Sequence, residues 1–207
     1  MDENNIQLSQ ALASKICHDV IGPISAIANG LELLADNHEN EMVNQVIPLL
    51  KEGSSRALDI LQFFRLIIGS GYQGVGIKLQ EIRDLTNAYF SINKIKITLP
   101  QQVNTFDLNH NIIRPVLLQI SILTDLMPKG GHVVISENKT GLRIVLSSTD
   151  FRCIDDLEKI YSGHNSQIFL NSKKILWFLL AVYLKEAKCR TELVKGQSDC
   201  TINYWTV

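Results

Sequence analysis

Helical periodicity in the first third of the chain constrains the fold more than any other feature. Apolar residues recur every three or four positions over residues 6–35 and again over residues 42–68, and the polar residues 36–40 predict a turn between them. Pro48 is expected to kink the second helix or to mark its first turn. The resulting hairpin cannot bury its apolar stripe alone. We therefore expect two copies to pair as a dimeric four-helix bundle.

The rest of the chain alternates between helical and strand-like patterns. Its strand-like segments are short and rich in β-branched residues, and its helical segments are shorter than those of the hairpin. The pattern predicts an α+β fold with helices packed on one mixed sheet, and two domains at residues 1–72 and 73–207. The expected helices are residues 79–91, 111–127 and 172–187, and the expected strands are residues 95–99, 132–136, 142–146, 191–194 and 200–205.

Composition and charge argue against several classes of function. The chain carries 20 Lys and Arg against 21 Asp and Glu without a basic block, so a nucleic-acid-binding surface is not indicated. The acidic, polar N-terminus is unlike a secretory signal, and the longest apolar run, residues 175–184, is too short to span a bilayer. The cysteines form no C-x-x-C pair, and the histidines lack metal-ligand spacing. We expect a cytoplasmic protein with reduced thiols and no metal site.

His18 lies on the polar side of the first helix. At 100° per residue, the side chains within about 40° of His18 are small or polar, whereas Ile16, Val20 and Ile27 fall near the opposite side. The imidazole is therefore expected to rise from a ridge that leaves room for the backbone of a partner protein. Cys17, beside it, is expected to pack as a small side chain. The ridge residues, which we predict to be partner-binding, are Ser14, Gly22, Ser25 and Asn29.

The neighbours of His18 suit it for covalent phosphoryl transfer. Asp19 can accept a hydrogen bond from one ring nitrogen, which fixes the tautomer and leaves the other nitrogen nucleophilic. Lys15 lies on the same side and is expected to neutralise the charge of a transferred phosphoryl group. Pro23 removes one backbone hydrogen bond and is expected to bend the helix just past His18. Although a lone histidine on a polar face is more often an ordinary surface residue, this combination favours a phosphoryl acceptor.

The residues around His18 resemble the phosphoacceptor box of the sensor histidine kinases, in which Glu or Asp follows the histidine and Pro stands five positions after it. More narrowly, residues 15–23, 29–34 and 61–66 are similar to the ChpT-type histidine phosphotransferases of bacterial cell-cycle phosphorelays. This resemblance covers nearly the whole chain and is most specific in the hairpin. It implies a homodimer in which each hairpin precedes a degenerate histidine-kinase ATPase-like α/β sandwich.

The sequence departs from the kinases at positions that matter for their chemistry. Where the kinase box has Arg and then Thr or Asn, this chain has Ile21 and Gly22, and Gly22 cannot position a water for phosphatase action. Where the kinases have an Asn pair for Mg²⁺ and phosphate, it has Gln119 and Leu123, and an aliphatic side chain cannot ligate a hard cation. The loops also lack the glycines that phosphate binding requires. We therefore expect no nucleotide site and no cofactor bound by this chain.

The resulting prediction is a histidine phosphotransferase of a two-component phosphorelay, without ATP-dependent kinase activity. The resemblance implies that His18 accepts a phosphoryl group from the receiver domain of a hybrid histidine kinase, which supplies Mg²⁺, and passes it to response regulators resembling CtrA and CpdR. Asp19 orients the imidazole, and residues 1–72 carry both dimerisation and transfer. Two alternatives stay open: a non-catalytic dimeric adaptor, and a histidine kinase with an atypical ATP site.

Overall fold

Two long helices open the chain and pack side by side in opposite directions. The computed structural model describes residues 3–36, 40–69, 79–90, 94–100, 110–138, 141–152, 154–163, 171, 173–187 and 190–205. Helix α1 spans Glu3–Asp36 and helix α2 spans Asn40–Ile68, in agreement with the predicted hairpin. Pro48 lies well inside α2 and therefore does not mark its first turn. No described helix combines the length and the apolarity that crossing a bilayer requires.

Glycines on the two helices set their spacing. A Cβ atom added at Gly30 would lie 2.7 Å from Leu50 Cδ2, and one added at Gly53 would lie 3.0 Å from Ile27 Cγ1 and 3.2 Å from the carbonyl oxygen of Pro23. Both glycines are buried, so they allow α1 and α2 to approach closely. This close packing gives the hairpin one well-defined groove on the side that carries His18.

The second part of the chain is an α+β arrangement, as predicted. The single helix expected over residues 111–127 is instead two helices interrupted at Ile122, and the helix at Ile154–Tyr161 was not expected from the sequence. The elements after the hairpin are α3 (Leu79–Phe90), β1 (Ile95–Thr98), α4 (His110–Ser121), α5 (Leu123–Leu126), β2 (Gly131–Asn138), β3 (Gly141–Ser147), α6 (Ile154–Tyr161), α7 (Ile175–Glu186), β4 (Arg190–Lys195) and β5 (Asp199–Trp205).

The strands form one five-stranded mixed sheet in the order β1-β2-β3-β5-β4. Strands β1 and β2 pair in parallel through a helical crossover, and the other neighbours pair antiparallel. Alternate residues of the central strands are buried beneath the helices, whereas Val134 and Arg143 point to the exposed face. The buried strand residues include Val133, Ile135, Ile144, Leu146, Ile202 and Tyr204.

The hairpin is joined to the second part by direct contacts near the end of α2. Arg56 donates hydrogen bonds to the carbonyl oxygens of Ala88 and Tyr89 in the last turn of α3, and Phe63 of α2 stacks on the Tyr89 ring. The predicted domain boundary between residues 72 and 73 lies outside the described residues. These contacts place one end of α3 beside the middle of the hairpin, which is where His18 stands.

Candidate functional site

His18 stands on the outer surface of α1 with its ring open to solvent. Its side chain is 84% exposed, and its Nδ1 atom lies 3.2 Å from Asp19 Oδ1. When Nδ1 carries the proton and donates it to the carboxylate, Nε2 keeps a lone pair that faces solvent. The position agrees with the sequence prediction of an outward-pointing imidazole. Such a nitrogen is able to attack an electrophile carried by another protein.

Asp19 is held in place by Lys15 as well as by His18. Lys15 Nζ lies 3.0 Å and 2.9 Å from the two carboxylate oxygens of Asp19, one helical turn away. The side chain of Asp19 is only 15% exposed, so the carboxylate occupies a restricted position between an ammonium and an imidazole. Lys15 therefore contacts Asp19 in this structure, although the sequence suggested an ammonium available to a phosphoryl group.

The four predicted partner-binding residues are all exposed on the side of α1 that carries His18. Gly22 and Asn29 line the same groove as His18, whereas Ser14 and Ser25 are not among its lining residues. A Cβ atom added at Gly22 would meet nothing within 4 Å. Unlike Gly30 and Gly53, Gly22 is therefore not required by the packing of the hairpin.

A groove of about 860 Å³ runs from His18 between α1 and α2. Its walls are mainly apolar, and its charged and polar residues come from both helices of the hairpin. Tyr89 of α3 and Thr124 of α5 also line this groove, so the second part of the chain contributes to the surface around His18. The residues that α2 contributes are Val46, Leu49, Glu52, Gly53, Arg56 and Ile60.

Arg56 and Tyr89 are site residues that the sequence did not reveal. The Arg56 guanidinium lies 5.5 Å from the centroid of the Tyr89 ring, and its Nη1 donates to the Tyr89 carbonyl oxygen at 2.6 Å. Burial raises the pKa of the Tyr89 hydroxyl well above its usual range, and the nearby negative charge of Asp19 raises it further. No local pattern links these positions, because they are 33 residues apart and meet only through packing.

The two residues that the sequence suggested as counterparts of the kinase Asn pair, Gln119 and Leu123, are buried in the second part. Gln119 is fully buried, and its Oε1 accepts a hydrogen bond from the Tyr161 hydroxyl at 2.9 Å. The hydroxyls of Tyr161 and Tyr204 form a further hydrogen bond. Leu123 is also fully buried. Within the described ranges, no group of three or more His, Cys, Asp or Glu residues comes together as a metal site.

Cys17 was expected to be packed, and that prediction is wrong. Its side chain is exposed, because it falls on the outer side of α1, away from α2. It shares that side with apolar residues that would normally be buried. The exposed apolar residues of the hairpin include Ile21, Ile24 and Leu31 on α1 and Ile47, Leu58 and Leu61 on α2.

Comparison with known families identifies the second part of the chain. A family model described as the histidine phosphotransferase C-terminal domain matches residues 79–199, which is more than half of the chain. The matched region runs from the start of α3 to the start of β5, so it includes the sheet and its helices.

Known proteins that are similar to this chain include two phosphotransferases. The protein phosphotransferase ChpT of Brucella abortus is 31% identical over 131 residues, which cover 63% of this chain and 60% of that protein. The matched region therefore spans about three fifths of the length of this curated relative. The solved structure of a bacterial phosphotransferase superposes with a TM-score of 0.75 at 24% identity, covering 99% of this chain and 97% of that chain. At this identity the superposition establishes a shared fold, from the helical hairpin to the mixed sheet.

Proposed function

Because the chain belongs to the histidine phosphotransferase family, we propose that it carries phosphoryl groups between receiver domains of a two-component phosphorelay. His18 accepts the group from the aspartate of one receiver and passes it to the aspartate of a response regulator. The observation that carries the proposal is the exposed imidazole whose Nδ1 contacts Asp19 while Nε2 stays open. The name of the Brucella abortus relative, protein phosphotransferase, agrees with this chemistry.

The transfer is an in-line displacement at phosphorus. The Nε2 lone pair forms a bond to phosphorus while the bond from phosphorus to the aspartyl oxygen breaks, and the receiver aspartate leaves as a carboxylate. The ring gains positive charge as the bond forms, and the Asp19 carboxylate beside Nδ1 stabilises that charge. The same steps in reverse pass the group to a second receiver. Catalysis rests mainly on positioning, because docking of the receiver holds its aspartyl phosphate in line with Nε2 of His18.

Lys15 is assigned a supporting role in this proposal. Its contact with both oxygens of Asp19 holds the carboxylate in the orientation that meets Nδ1. The sequence-based proposal that Lys15 neutralises the phosphoryl group requires its ammonium to turn away from Asp19. We therefore propose that Lys15 orients Asp19 before transfer and contacts the phosphoryl oxygens only when the receiver is docked.

The phosphoryl source in this proposal is a protein and not ATP. Gln119 and Leu123 occupy the positions of the kinase Asn pair, and both are fully buried, so neither offers an oxygen ligand at the surface. Mg²⁺ is accordingly assigned to the docked receiver, whose own acidic residues would hold it. A histidine kinase with an atypical ATP site would instead require this region to bind Mg-ATP, which a titration with labelled nucleotide would detect.

A homodimer is part of the proposal. On α1 the exposed apolar residues Ile21, Ile24 and Leu31 lie roughly 180° from the groove, by the helical angle of 100° per residue, whereas exposed Leu33 and Leu49 line the groove itself. A second copy of the hairpin would cover this face and complete a four-helix bundle, while the groove and His18 stay accessible. The receiver partners, including regulators resembling CtrA and CpdR, belong to the same proposal and rest on the resemblance alone.

A phosphate-chase assay tests the proposed function. Purified receiver domains are phosphorylated with labelled phosphate and mixed with the chain, and the label should appear on the wild-type protein as an acid-labile phosphohistidine. His18→Ala should take up no label, whereas His132→Ala, which removes an exposed histidine of β2, should behave like the wild type. Transfer that persists in His18→Ala would contradict the site assignment. A wild-type chain that accepts no label from any receiver would favour the non-catalytic adaptor.

A further inference from the structure

The Tyr89 side chain combines a buried ring with a hydroxyl that no described residue contacts through a hydrogen bond. The residue is 8% exposed, and its ring lines the groove that begins at His18. Among the described residues, none forms a hydrogen bond with the hydroxyl. The hydroxyl oxygen is nevertheless not fully enclosed by protein. The hydroxyl therefore keeps access to the groove. A donor that faces an open cavity is available to a molecule that docks there.

The surroundings of Tyr89 hold its ring in one position. The ring stacks on Phe63 with centroids 4.0 Å apart and an interplanar angle of 17°, and Phe90 meets it edge-on at 4.9 Å. Arg56 lies against the ring and at the same time bonds the carbonyl oxygens at the end of α3. Because the ring is already fixed, the side chain loses little conformational entropy when its hydroxyl binds an acceptor.

Electrostatics select the kind of acceptor that suits this hydroxyl. Burial raises its pKa, so it stays protonated and acts as a donor at neutral pH. The negative charge of Asp19 raises the Tyr89 pKa more than the positive charge of Arg56 lowers it. Glu52, a second carboxylate, also lines the groove. A carboxylate at this position would face Asp19 and Glu52, and the Lys15 ammonium that lines the same groove is already paired with Asp19. A neutral oxygen, such as a main-chain carbonyl or a side-chain amide, is the better partner.

We propose that the Tyr89 hydroxyl is a specificity-determining contact that donates a hydrogen bond to a neutral oxygen on the docking segment of the receiver domain. The inference rests on the proposed function, because a receiver that reaches His18 must also cover the groove that continues from it. The walls of the groove are mainly apolar, so the part of the docking segment that enters it is mainly apolar as well. A receiver that lacks the acceptor would bury the hydroxyl unpaired, and the chain would bind it more weakly.

Removal of the hydroxyl tests the inference. In Tyr89→Phe the ring keeps its contacts with Phe63 and Arg56, so the melting temperature should stay close to that of the wild type. The KM for the receiver that transfers label fastest to the wild-type chain should rise roughly tenfold, with kcat unchanged. Tyr183→Phe is the matched control, because that hydroxyl contacts Arg114 and lies outside the groove, and it should leave KM unchanged.

A second substitution keeps the test decisive. Replacement of Tyr89 by 4-aminophenylalanine retains a donor at the same place and should restore a KM close to that of the wild type. A KM for Tyr89→Phe within about twofold of the wild-type value, or a loss confined to kcat, would overturn the inference and leave the proposed function intact. Failure of the 4-aminophenylalanine protein to recover KM would overturn it as well. Absence of label on the wild-type chain, by contrast, would remove the proposed function itself.

Discussion

The chemistry assigned to His18 is contained in five consecutive residues of α1. Lys15 and Asp19 are one helical turn apart, so the helix itself brings the ammonium to the carboxylate, at 2.9 Å. Asp19 directly follows His18, and its Oδ1 reaches Nδ1 at 3.2 Å. Both contacts need only a helix at this point of the chain. The reactive nitrogen is thus prepared by local structure, before any tertiary contact forms.

Asp19→Asn should slow phosphoryl transfer while the fold persists. The amide is similar in size to the carboxylate, but it carries no negative charge to stabilise the ring as phosphorus bonds to Nε2. We expect the single-turnover rate of label transfer to fall by at least about tenfold. Asp36→Asn, which changes an exposed carboxylate at the far end of the same helix, should transfer at the wild-type rate. Equal rates for Asp19→Asn and the wild type would remove Asp19 from the mechanism.

At the scale of the helices, glycine serves two different purposes in the hairpin. Gly53 is buried where α2 meets α1, and a Cβ atom there would approach the backbone oxygen of Pro23 at 3.2 Å. Gly22 lies on the open ridge one turn after His18, where a Cβ atom would meet nothing within 4 Å. The first glycine is required by packing between helices. The second costs helix stability without any packing benefit in the free chain, which fits a surface that another protein approaches closely.

Gly22→Ala and Gly53→Ala should shift stability in opposite directions. Alanine at position 22 should raise the free energy of unfolding by about 1 kcal/mol, because it favours the helix and clashes with nothing. Alanine at position 53 should lower it by about 1–3 kcal/mol, because its Cβ would lie 3.0 Å from Ile27 and 3.2 Å from the Pro23 backbone oxygen, and the helices have to shift to admit it. Urea unfolding followed by circular dichroism measures both values. The stabilised Gly22→Ala protein should nevertheless accept label more slowly, and unchanged transfer would argue against close approach at this ridge.

At the scale of the whole molecule, the two sides of the hairpin differ in their surfaces. One side carries His18 and the groove, to which α3 and α5 contribute Tyr89 and Thr124. The other side leaves large apolar residues exposed, among them Ile21 at 64% and Leu58 at 54%. An apolar face of this kind on a helical hairpin is typical of an interface between protein chains. In the proposed function, separation of the two sides would let one hairpin pair with a second copy and dock a receiver at the same time.

Ile24→Glu should convert the proposed dimer into monomers. A carboxylate at this position would be buried without a partner in the bundle, and that desolvation costs several times the thermal energy. Light scattering should report a dimer mass for the wild type and a monomer mass for Ile24→Glu. Ser25→Glu, the same change at the adjacent exposed residue on the His18 side, should remain dimeric. A monomeric wild-type chain at micromolar concentration would contradict the proposed four-helix bundle.

Local periodicity accounts for the parts of the fold and the site that could be predicted from the sequence. The hairpin, most of the strands and the exposed imidazole of His18 each depend on residues within a few positions of one another. Their spacing decides which side of a helix or strand is apolar. The short helix α6 was missed although Ile154, Leu157 and Ile160 recur at helical spacing, and the break at Ile122 was missed because no Gly or Pro marks it.

Only the tertiary structure decided which distant residues join the site. The sequence determined that His18 is exposed and that Asp19 and Lys15 accompany it, since one helix brings them together. It did not determine that Tyr89 lines the groove or that Gln119 is buried against Tyr161. Those contacts join residues 33 or more positions apart, and their formation depends on how α3, α4 and α6 pack against other elements. Packing of that kind is a property of the assembled core, which no short window of sequence contains.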